Sequence, residues 1–197
     1  MRARRPRPGV RRIAALMTGA ALAAGLAGCA SIGRPESAPG AGYQAGDGSF
    51  ATWDRDERGA PVEVVGESYE GEGIDVADWR GDVVVMNFWY AACPPCRVEA
   101  PELVAIAEDY PEIHMLGVNP RDDAGAAQAF ERTFSIPYPS LWDLDATAVA
   151  AMQGLVPLQA MPTTIVLDRE GRVASRILGQ ADPGILRGLI DDALAEE

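Results

Sequence analysis

The chain has 197 residues, of which 48% are hydrophobic and 23% are charged, which is typical of a globular protein. It carries 29 acidic and 17 basic residues, for a formal net charge of −12. We therefore expect no nucleic-acid partner and no basic patch that would hold the protein on an anionic membrane.

Residues 1–28 are predicted to be a bacterial lipoprotein signal peptide. Six arginines precede a mostly apolar stretch, Ile13 to Leu26, which is too short to span a membrane. The box Leu26-Ala27-Gly28-Cys29 resembles a lipobox, which implies that Cys29 becomes the first mature residue and carries a lipid. We therefore expect the protein to be anchored on the extracytoplasmic face of the bacterial cell membrane. The alternative is an ordinary cleaved signal that leaves Cys29 as a free thiol, and the export route stays open.

Residues 29–52 are predicted to be a flexible tether, because Ala30 to Asp47 are rich in Gly, Ala, Pro and Ser. Residues 53–197 are enough for one domain with its own core. Its first elements are a predicted hairpin, with apolar segments 62–65 and 74–76 around a Gly- and Glu-rich turn. The run Asp82 to Trp89 then indicates a strand buried on both faces of a sheet.

Two cysteines follow this strand in the motif Cys93-Pro94-Pro95-Cys96, at the start of a predicted helix. A thiol attacks only as thiolate, and a helix N-terminus lowers the pKa of a cysteine placed there. Cys93 is therefore the predicted nucleophile. Cys96, which we expect to be less exposed, is placed to close a disulfide with Cys93 or to resolve a mixed disulfide.

A zinc site and a purely structural disulfide are the other interpretations of this cysteine pair. Zinc needs four ligands, and the remaining candidates are Cys29, the lone His114 and carboxylates, with no second Cys-x-x-Cys. A structural disulfide closing so short a loop would constrain the unfolded chain little. We therefore expect redox chemistry, with no metal and no cofactor beyond the Cys93–Cys96 pair.

The later elements alternate between helices and strands. The helix after Cys93 should bury Val98, Leu103, Ile106 and Ala107. The other predicted elements are a strand Ile113 to Val118, a helix Ala124 to Phe134, a helix Asp145 to Gln153 capped by Asp145, strands Thr163 to Leu167 and Val173 to Leu178 around the turn Asp168 to Gly171, and a helix from Asp182-Pro183 through Leu194. This order predicts an α/β fold with helices on both faces of the sheet.

Two segments resemble the TlpA/ResA-like thioredoxin family: Asn87 to Leu103, which contains the Cys-Pro-Pro-Cys motif, and Met161-Pro162-Thr163-Thr164 with its following turn. The resemblance implies a thioredoxin-like fold with a central mixed sheet, helices on both faces, an N-terminal β-hairpin extension and a central insertion. It also implies that Pro162 is cis and lies beside the disulfide, and that Met161 offers backbone hydrogen bonds to an extended client.

The resemblance further implies which residues surround the dithiol. Contact with a client is expected from Trp89, Pro94, Pro95, Met161 and Pro162. Glu99 matches a glutamate that lies near the dithiol in ResA-like members and influences its titration, so it would relay a proton to or from Cys96.

The alternative for Glu99 is a solvated carboxylate on the helix surface, or an ion pair with Arg97 or Arg132. Ordinary thioredoxins place a buried aspartate six residues before the first cysteine, whereas this chain has Asn87 there, which cannot accept a proton.

The predicted reaction is thiol-disulfide exchange, in which Cys93 attacks a client disulfide and Cys96 resolves the mixed disulfide. The resemblance implies a monomeric reductase of exported proteins in cytochrome c maturation, with apocytochrome c as the foremost client and a CcdA/DsbD-like membrane protein as electron donor. The alternatives are an oxidant or isomerase of exported proteins, which runs the same chemistry backward, and a copper metallochaperone that binds Cu(I) through both cysteines.

Overall fold

A computed structural model of the protein describes residues 43–44, 49–152, 154–157 and 160–196. The predicted signal peptide and Cys29 lie outside these residues. Two sheets are formed, one of seven strands in the order β1-β2-β9-β8-β5-β6-β7 and one of two strands, β3 and β4. The strands are β1 (Tyr43–Gln44), β2 (Phe50–Thr52), β3 (Val65–Glu67), β4 (Gly73–Asp75), β5 (Val84–Phe88), β6 (His114–Asn119), β7 (Ser140–Trp142), β8 (Thr163–Leu167) and β9 (Val173–Leu178).

The seven-stranded sheet is mixed. Strand β6 pairs parallel with both β5 and β7, whereas β8 pairs antiparallel with β5 and β9, and β2 pairs antiparallel with β9 and β1. Every residue of β5 is buried, as expected for a central strand covered on both sides. The predicted α/β fold class is therefore confirmed.

In the described part of the chain, four α-helices accompany the sheet: α1 (Pro94–Asp109), α2 (Ala124–Phe134), α3 (Thr147–Ala151) and α4 (Pro183–Ala195). Helices α1 and α4 cover one face of the sheet, where Leu103 and Leu186 share a core cluster with Val85. Helix α3 covers the other face, where Val149 clusters with Met86. Side chains alternate between the two faces of a strand, so β5 supplies both cores.

Local capping explains where two of the helices begin. The side chain of Asp123 accepts from the Ala126 N–H at the start of α2, and that of Asp182 accepts from the Ile185 N–H at the start of α4. Both predicted helix starts are confirmed. The short helix α3 has two acceptors: the predicted cap Asp145 accepts from the Thr147 N–H at 3.4 Å, whereas the Ala148 and Val149 N–H groups donate to Asp143.

The predicted N-terminal hairpin is confirmed as β3 and β4, which pair antiparallel. A Cβ on Gly66 would lie 2.9 Å from the Leu141 side chain, so glycine lets the hairpin approach β7 closely. A 3₁₀ helix, Val76–Trp79, then leads to β5. His114 is structural, since its ring stacks on Trp79 with centroids 4.9 Å apart.

Two sequence predictions about the fold are wrong in detail. The predicted tether, residues 29–52, reaches too far, because Tyr43–Gln44 and Phe50–Thr52 extend the sheet beside β9. The predicted buried face of α1 is also displaced at one position, since Val98 is 60% exposed whereas the neighbouring Glu99 is buried.

The turn between β8 and β9 carries a buried charge cluster. Asp168 is buried and accepts hydrogen bonds from the Arg58 Nη1 and the Arg172 Nε, each at 2.9 Å. Burial opposes the charge, but the Arg172 backbone N–H and the two guanidinium groups hold the pKa of Asp168 below its usual value. This cluster joins the turn to the segment that follows β2.

Within the described ranges, no helix is both long and apolar enough to cross a membrane. The same part of the chain holds no group of three or more His, Cys, Asp or Glu side chains placed to hold a metal ion.

Candidate active site

Three strands have their ends at one end of the sheet, which brings together the two motifs singled out in the sequence. Strands β5 and β6 run parallel, so the segments after Phe88 and after Asn119 leave the sheet at the same end. Strand β8 is antiparallel to β5, with Thr163 opposite Phe88, so the residues just before Thr163 reach that end as well. This end of the sheet carries the cysteine pair.

Cys93 and Cys96 form a disulfide with an S–S distance of 2.05 Å and a Cα–Cα distance of 5.3 Å. Cys93 is the N-cap of α1, and its sulfur accepts a hydrogen bond from the Cys96 N–H at 3.2 Å. The sulfur therefore lies at the positive end of the helix, where a thiolate is stabilised.

The two sulfurs do not differ in burial. Cys93 is 1% exposed and Cys96 is 2% exposed, so the expectation that Cys96 is less exposed is wrong. Both residues pack in a cluster with Trp89, Ala100 and Phe130. A client disulfide must therefore approach Cys93 through a small opening, and the capping position rather than exposure marks Cys93 as the attacking group.

The Met161–Pro162 peptide bond is cis, as the resemblance implies. It brings Met161 to the disulfide, with the Met161 carbonyl oxygen 3.8 Å from the Cys93 Sγ. The Gly179 N–H donates to the Pro162 carbonyl at 2.8 Å and ties this segment to the end of β9. Cys93 and the Met161 backbone thus line one small region of the surface.

The residues predicted to contact a client divide into surface and interior. Pro94 is exposed, and Pro95 and Met161 are half-buried beside the disulfide. Trp89 is only 4% exposed and stacks on Phe130 at 4.3 Å, and Pro162 is buried too. The client contacts predicted for Trp89 and for the Pro162 side chain are therefore corrected. A Cβ on Gly117 would lie 2.8 Å from the Trp89 Nε1, so glycine in β6 makes room for this indole.

Glu99, three residues after Cys96 in α1, is buried rather than solvated on the helix surface, because it is only 1% exposed. Its carboxylate accepts hydrogen bonds from the Asn87 Nδ2 and from the Ala181 N–H, both at 2.8 Å. Burial raises the pKa of Glu99 to about 7, although these two hydrogen bonds oppose the rise. A carboxyl group that titrates near neutrality is suited to proton transfer.

A small cavity of about 10 Å³ lies against Cys96 and Asn87, and its other walls include Trp89 and Tyr138. This volume holds about one water molecule. Asn87 donates to both Glu99 and Thr164, so the amide that lines the cavity beside Cys96 also contacts the carboxylate.

The raised pKa of Glu99 makes stability depend on pH. The folded chain holds the Glu99 proton up to about pH 7, whereas the unfolded chain releases it near 4.5. This contribution to stability is therefore present below pH 4.5 and is lost as the pH rises through 7. At about 1.4 kcal/mol per pKa unit, we expect wild type to lose about 3 kcal/mol of unfolding free energy relative to Glu99→Gln across that range.

Urea unfolding of the oxidised protein between pH 4 and pH 8 measures this difference. Glu102→Gln is the matched control, because Glu102 is exposed on the same helix and should leave the pH profile of wild type unchanged. Parallel curves for wild type and Glu99→Gln would show that Glu99 does not titrate near neutrality.

Sequence reasoning missed three residues of the site. Asn87 acts as a hydrogen-bond donor to Glu99, and Arg97 donates to the Ala91 carbonyl instead of pairing with Glu99. Asp122 accepts from the Ala91 N–H. Asp122 follows β6 by three residues, and its position after a strand parallel to β5 was the signal that could have found it.

The arrangement is suited to one kind of chemistry. The dithiol lies at a helix N-terminus, with a backbone carbonyl beside the first sulfur and, three residues after the second cysteine, a carboxyl group with a pKa near neutrality. These groups support thiolate attack and protonation of the leaving sulfur. The site offers Cys93 and Cys96 as a soft pair for a metal, but no further sulfur or imidazole joins them among the described residues.

Comparisons with known proteins agree with this chemistry. Residues 60–176 match the model of the AhpC/TSA family. The chain is 32% identical over 160 residues to the thiol:disulfide interchange protein HelX of Rhodobacter capsulatus, covering 76% of this chain and 88% of HelX. It is 27% identical over 153 residues to the thiol-disulfide oxidoreductase ResA of Bacillus cereus, covering 76% and 86%.

The fold is likewise similar to a solved structure. The crystal structure of a DsbF homologue from Corynebacterium diphtheriae superposes with a TM-score of 0.70 at 31% identity, covering 76% of this chain and 96% of that one. The thioredoxin-like fold is therefore confirmed. The chain belongs to the AhpC/TSA family, as a thioredoxin-like thiol-disulfide oxidoreductase of the ResA, HelX and DsbE type.

Proposed function

We propose that the protein is a disulfide reductase on the extracytoplasmic face of the bacterial cell membrane. It is anchored through a lipid on Cys29 and reduces exported proteins in cytochrome c maturation, with apocytochrome c as the foremost client. A CcdA/DsbD-like membrane protein returns electrons to the Cys93–Cys96 pair. No glutathione or thioredoxin pool exists outside the cytosol, so such a donor is needed for turnover.

The direction of electron flow is supported by the capping of Cys93. Residues at the second and third helical positions normally donate to an N-cap side chain, and here these are Pro95 and Cys96. Proline has no N–H, so the Cys93 sulfur receives one backbone hydrogen bond, from Cys96 at 3.2 Å. A thiolate with fewer donors is less stabilised, which makes the reduced pair a stronger reductant.

The exchange transfers two electrons from the protein to its client. The Cys93 thiolate attacks one sulfur of the client disulfide, and the other client sulfur leaves and takes up a proton. Cys96 then loses its proton, for which Glu99 is the proposed acceptor, and attacks the Cys93 sulfur. The second client sulfur leaves as a thiolate and takes up a proton. The client gains two thiols, and Cys93 and Cys96 end as the disulfide described above.

The proposed anchor at Cys29 is separated from the sheet by a short segment. The first described strand begins at Tyr43, so 13 residues lie between it and Cys29. A chain of that length reaches at most about 45 Å when extended. The mature chain carries 11 basic and 29 acidic residues, so the lipid rather than charge would hold it on an anionic surface.

Restoring the missing donor should make the dithiol less reducing. We expect Pro95→Ala to raise the reduction potential by about 30 to 60 mV, because one added hydrogen bond to a thiolate is worth about 1.5 to 3 kcal/mol. Equilibration with a dithiothreitol series and thiol trapping measures the shift. Pro94→Ala is the control, because the first helical position does not donate to the cap, and it should leave the potential nearly unchanged. Equal shifts in both variants would contradict the capping argument.

Client reduction tests the proposal itself. The reduced mature protein, purified in detergent, is mixed with an oxidised Cys-x-x-Cys-His peptide from an apocytochrome c and with a disulfide peptide of unrelated sequence. Faster reduction of the haem-binding peptide, together with loss of c-type cytochromes on deletion and their recovery with added dithiothreitol, supports the proposal. Oxidation of reduced peptides by the disulfide form, without net reduction, would assign the protein as an oxidant or isomerase. Tight Cu(I) binding without exchange would assign it as a metallochaperone.

A further inference from the structure

The peptide unit of Ala91, two residues before Cys93, is held at both ends by charged side chains. Its N–H donates to the Asp122 Oδ2 at 2.5 Å, and its carbonyl accepts from the Arg97 Nη1 at 3.2 Å. Ala91 belongs to the loop that joins β5 to α1. Loops at the end of a sheet are mobile unless contacts hold them. One hydrogen bond to a carboxylate and one from a guanidinium group therefore hold this loop residue.

Asp122 is itself firmly placed. The Asn119 Nδ2 donates to the same Asp122 Oδ2 at 2.8 Å, and the Asn119 Oδ1 accepts from the Asp122 N–H at 3.0 Å. The Trp142 Nε1 donates to the Asp122 carbonyl at 3.1 Å. Hydrogen bonds thus join Asp122, whose carboxylate holds Ala91, to the ends of β6 and β7, and this end of the sheet fixes its position.

Arg97 links the same peptide to the helix. It lies in the first turn of α1, and its guanidinium lies 5.1 Å from the Phe134 ring centroid. The Cys93 N–H donates to the Tyr90 carbonyl at 3.1 Å, so a turn directly connects the clamped residue to the cysteine. Fixing Ala91 between the sheet and the helix therefore fixes the Cys93 sulfur against the Cys96 N–H and the Met161 carbonyl.

We propose that Asp122 and Arg97 are positioning residues for the exchange reaction, which clamp Ala91 so that the Cys93 thiolate stays at the N-terminus of α1 when the disulfide opens. Opening the disulfide removes the S–S cross-link between Cys93 and Cys96, and the clamp then keeps the cap in place. The proposal holds whichever way electrons flow, so it does not depend on the proposed reductase role.

The test distinguishes positioning from a simple charge effect by whether the rate of Cys93 alkylation rises or falls. An anion near a thiol raises its pKa and a cation lowers it, so charge alone predicts that Asp122→Ala speeds Cys93 alkylation at neutral pH and Arg97→Met slows it. A clamp predicts that both variants slow it, because each loosens the cap. We expect about a five-fold fall in each, the loss typical of one hydrogen bond.

The experiment is iodoacetamide alkylation of Cys93 in the reduced full mature protein as a function of pH. Charge alone predicts that the effects cancel in the double variant Asp122→Ala/Arg97→Met, whereas a clamp predicts that the double variant is at least as slow as either single one. Asp122→Asn removes the charge but keeps an oxygen for the Ala91 N–H, so it should recover most of the wild-type rate. Faster alkylation in Asp122→Ala, cancellation in the double variant, or wild-type rates throughout would overturn the proposal.

Arg97 is exposed, so Arg97→Met is expected to fold, and thermal unfolding of the oxidised proteins checks each variant. If Asp122→Ala does not fold, Asp122→Asn and Arg97→Met still decide the question through a second readout, the reduction potential. Loosening the cap destabilises the thiolate, so the clamp predicts a lower potential for Arg97→Met and a nearly unchanged one for Asp122→Asn. A shift in Asp122→Asn equal and opposite to that of Arg97→Met would indicate charge alone.

Discussion

Cys93→Ser is expected to abolish disulfide exchange, with a loss of at least about 10³-fold, because a serine hydroxyl cannot replace a thiolate that attacks a disulfide. Cys96→Ser should also prevent turnover, but it should leave Cys93 able to attack. Without a resolving thiol, the client then remains attached to Cys93 as a mixed disulfide. The two variants therefore differ in what they trap and not only in how slowly they turn over.

Non-reducing electrophoresis and mass spectrometry of reduced variants mixed with a disulfide client measure this difference. We expect a stable adduct through Cys93 in Cys96→Ser and none in Cys93→Ser. Because the two sulfurs are equally buried, the assignment depends on the position of Cys93 at the helix cap beside Met161. An adduct that forms through Cys96 in Cys93→Ser would reverse the roles of the two cysteines.

Asp168→Ala should cost about 3 to 5 kcal/mol of unfolding free energy at pH 7. Removing this carboxylate leaves Arg58, whose side chain is only 5% exposed, without one of its acceptors, and leaves the Arg172 N–H of the turn without its partner. Losses of this size are typical when one member of a buried charge cluster is removed. The site would be affected indirectly, since the turn joins β8 and β9.

Guanidinium unfolding of the oxidised proteins checks this value. Glu170→Ala is the matched control, because Glu170 lies in the same turn and pairs with Arg55 and Arg172, but its side chain is 49% exposed. We expect a loss below about 0.5 kcal/mol for this control. Similar losses in the two variants would mean that burial does not decide the strength of these ion pairs.

Elements with a strong local pattern could be predicted from the sequence. Helix α2 follows its prediction from Ala124 to Phe134, because it combines an N-cap with a periodic apolar face. The turn Asp168 to Gly171 was found because turn residues separate two apolar runs, and the structure joins β8 and β9 there. In these places the local preference agrees with the final packing.

Elements that form only because of contacts with a neighbouring segment of the chain could not be predicted from the sequence. Strand β7, Ser140–Trp142, has three residues and follows Pro137 and Pro139, so its pairing with β6 leaves no periodic pattern. Strands β1 and β2 fall within a segment poor in large apolar residues. They are strands because β2 pairs with β9 and β1 pairs with β2. The second acceptor at the start of α3, Asp143, was missed because Asp143 and Asp145 carry the same side chain, and only the loop geometry shows which N–H groups each one reaches.

The same distinction applies to the active site. The cysteine pair and the cis Pro162 are encoded in short motifs, and both predictions of their placement hold. The environment of Glu99 is not local, since its two donors lie 12 and 82 residues away. Whether a carboxyl group is solvated or buried depends on such distant partners. The helix pattern alone placed Val98 in the core, where the neighbouring Glu99 lies instead.

The reduction potential of the Cys93–Cys96 pair tests the proposed reductase function most directly. The mature protein is equilibrated against a dithiothreitol or glutathione series, and the fraction of disulfide is read by thiol trapping. A weakly capped thiolate predicts a potential near or below about −250 mV, which suits a reductase supplied by a membrane donor. A potential between about −120 and −180 mV would contradict this and assign the protein as an oxidant or isomerase of exported proteins.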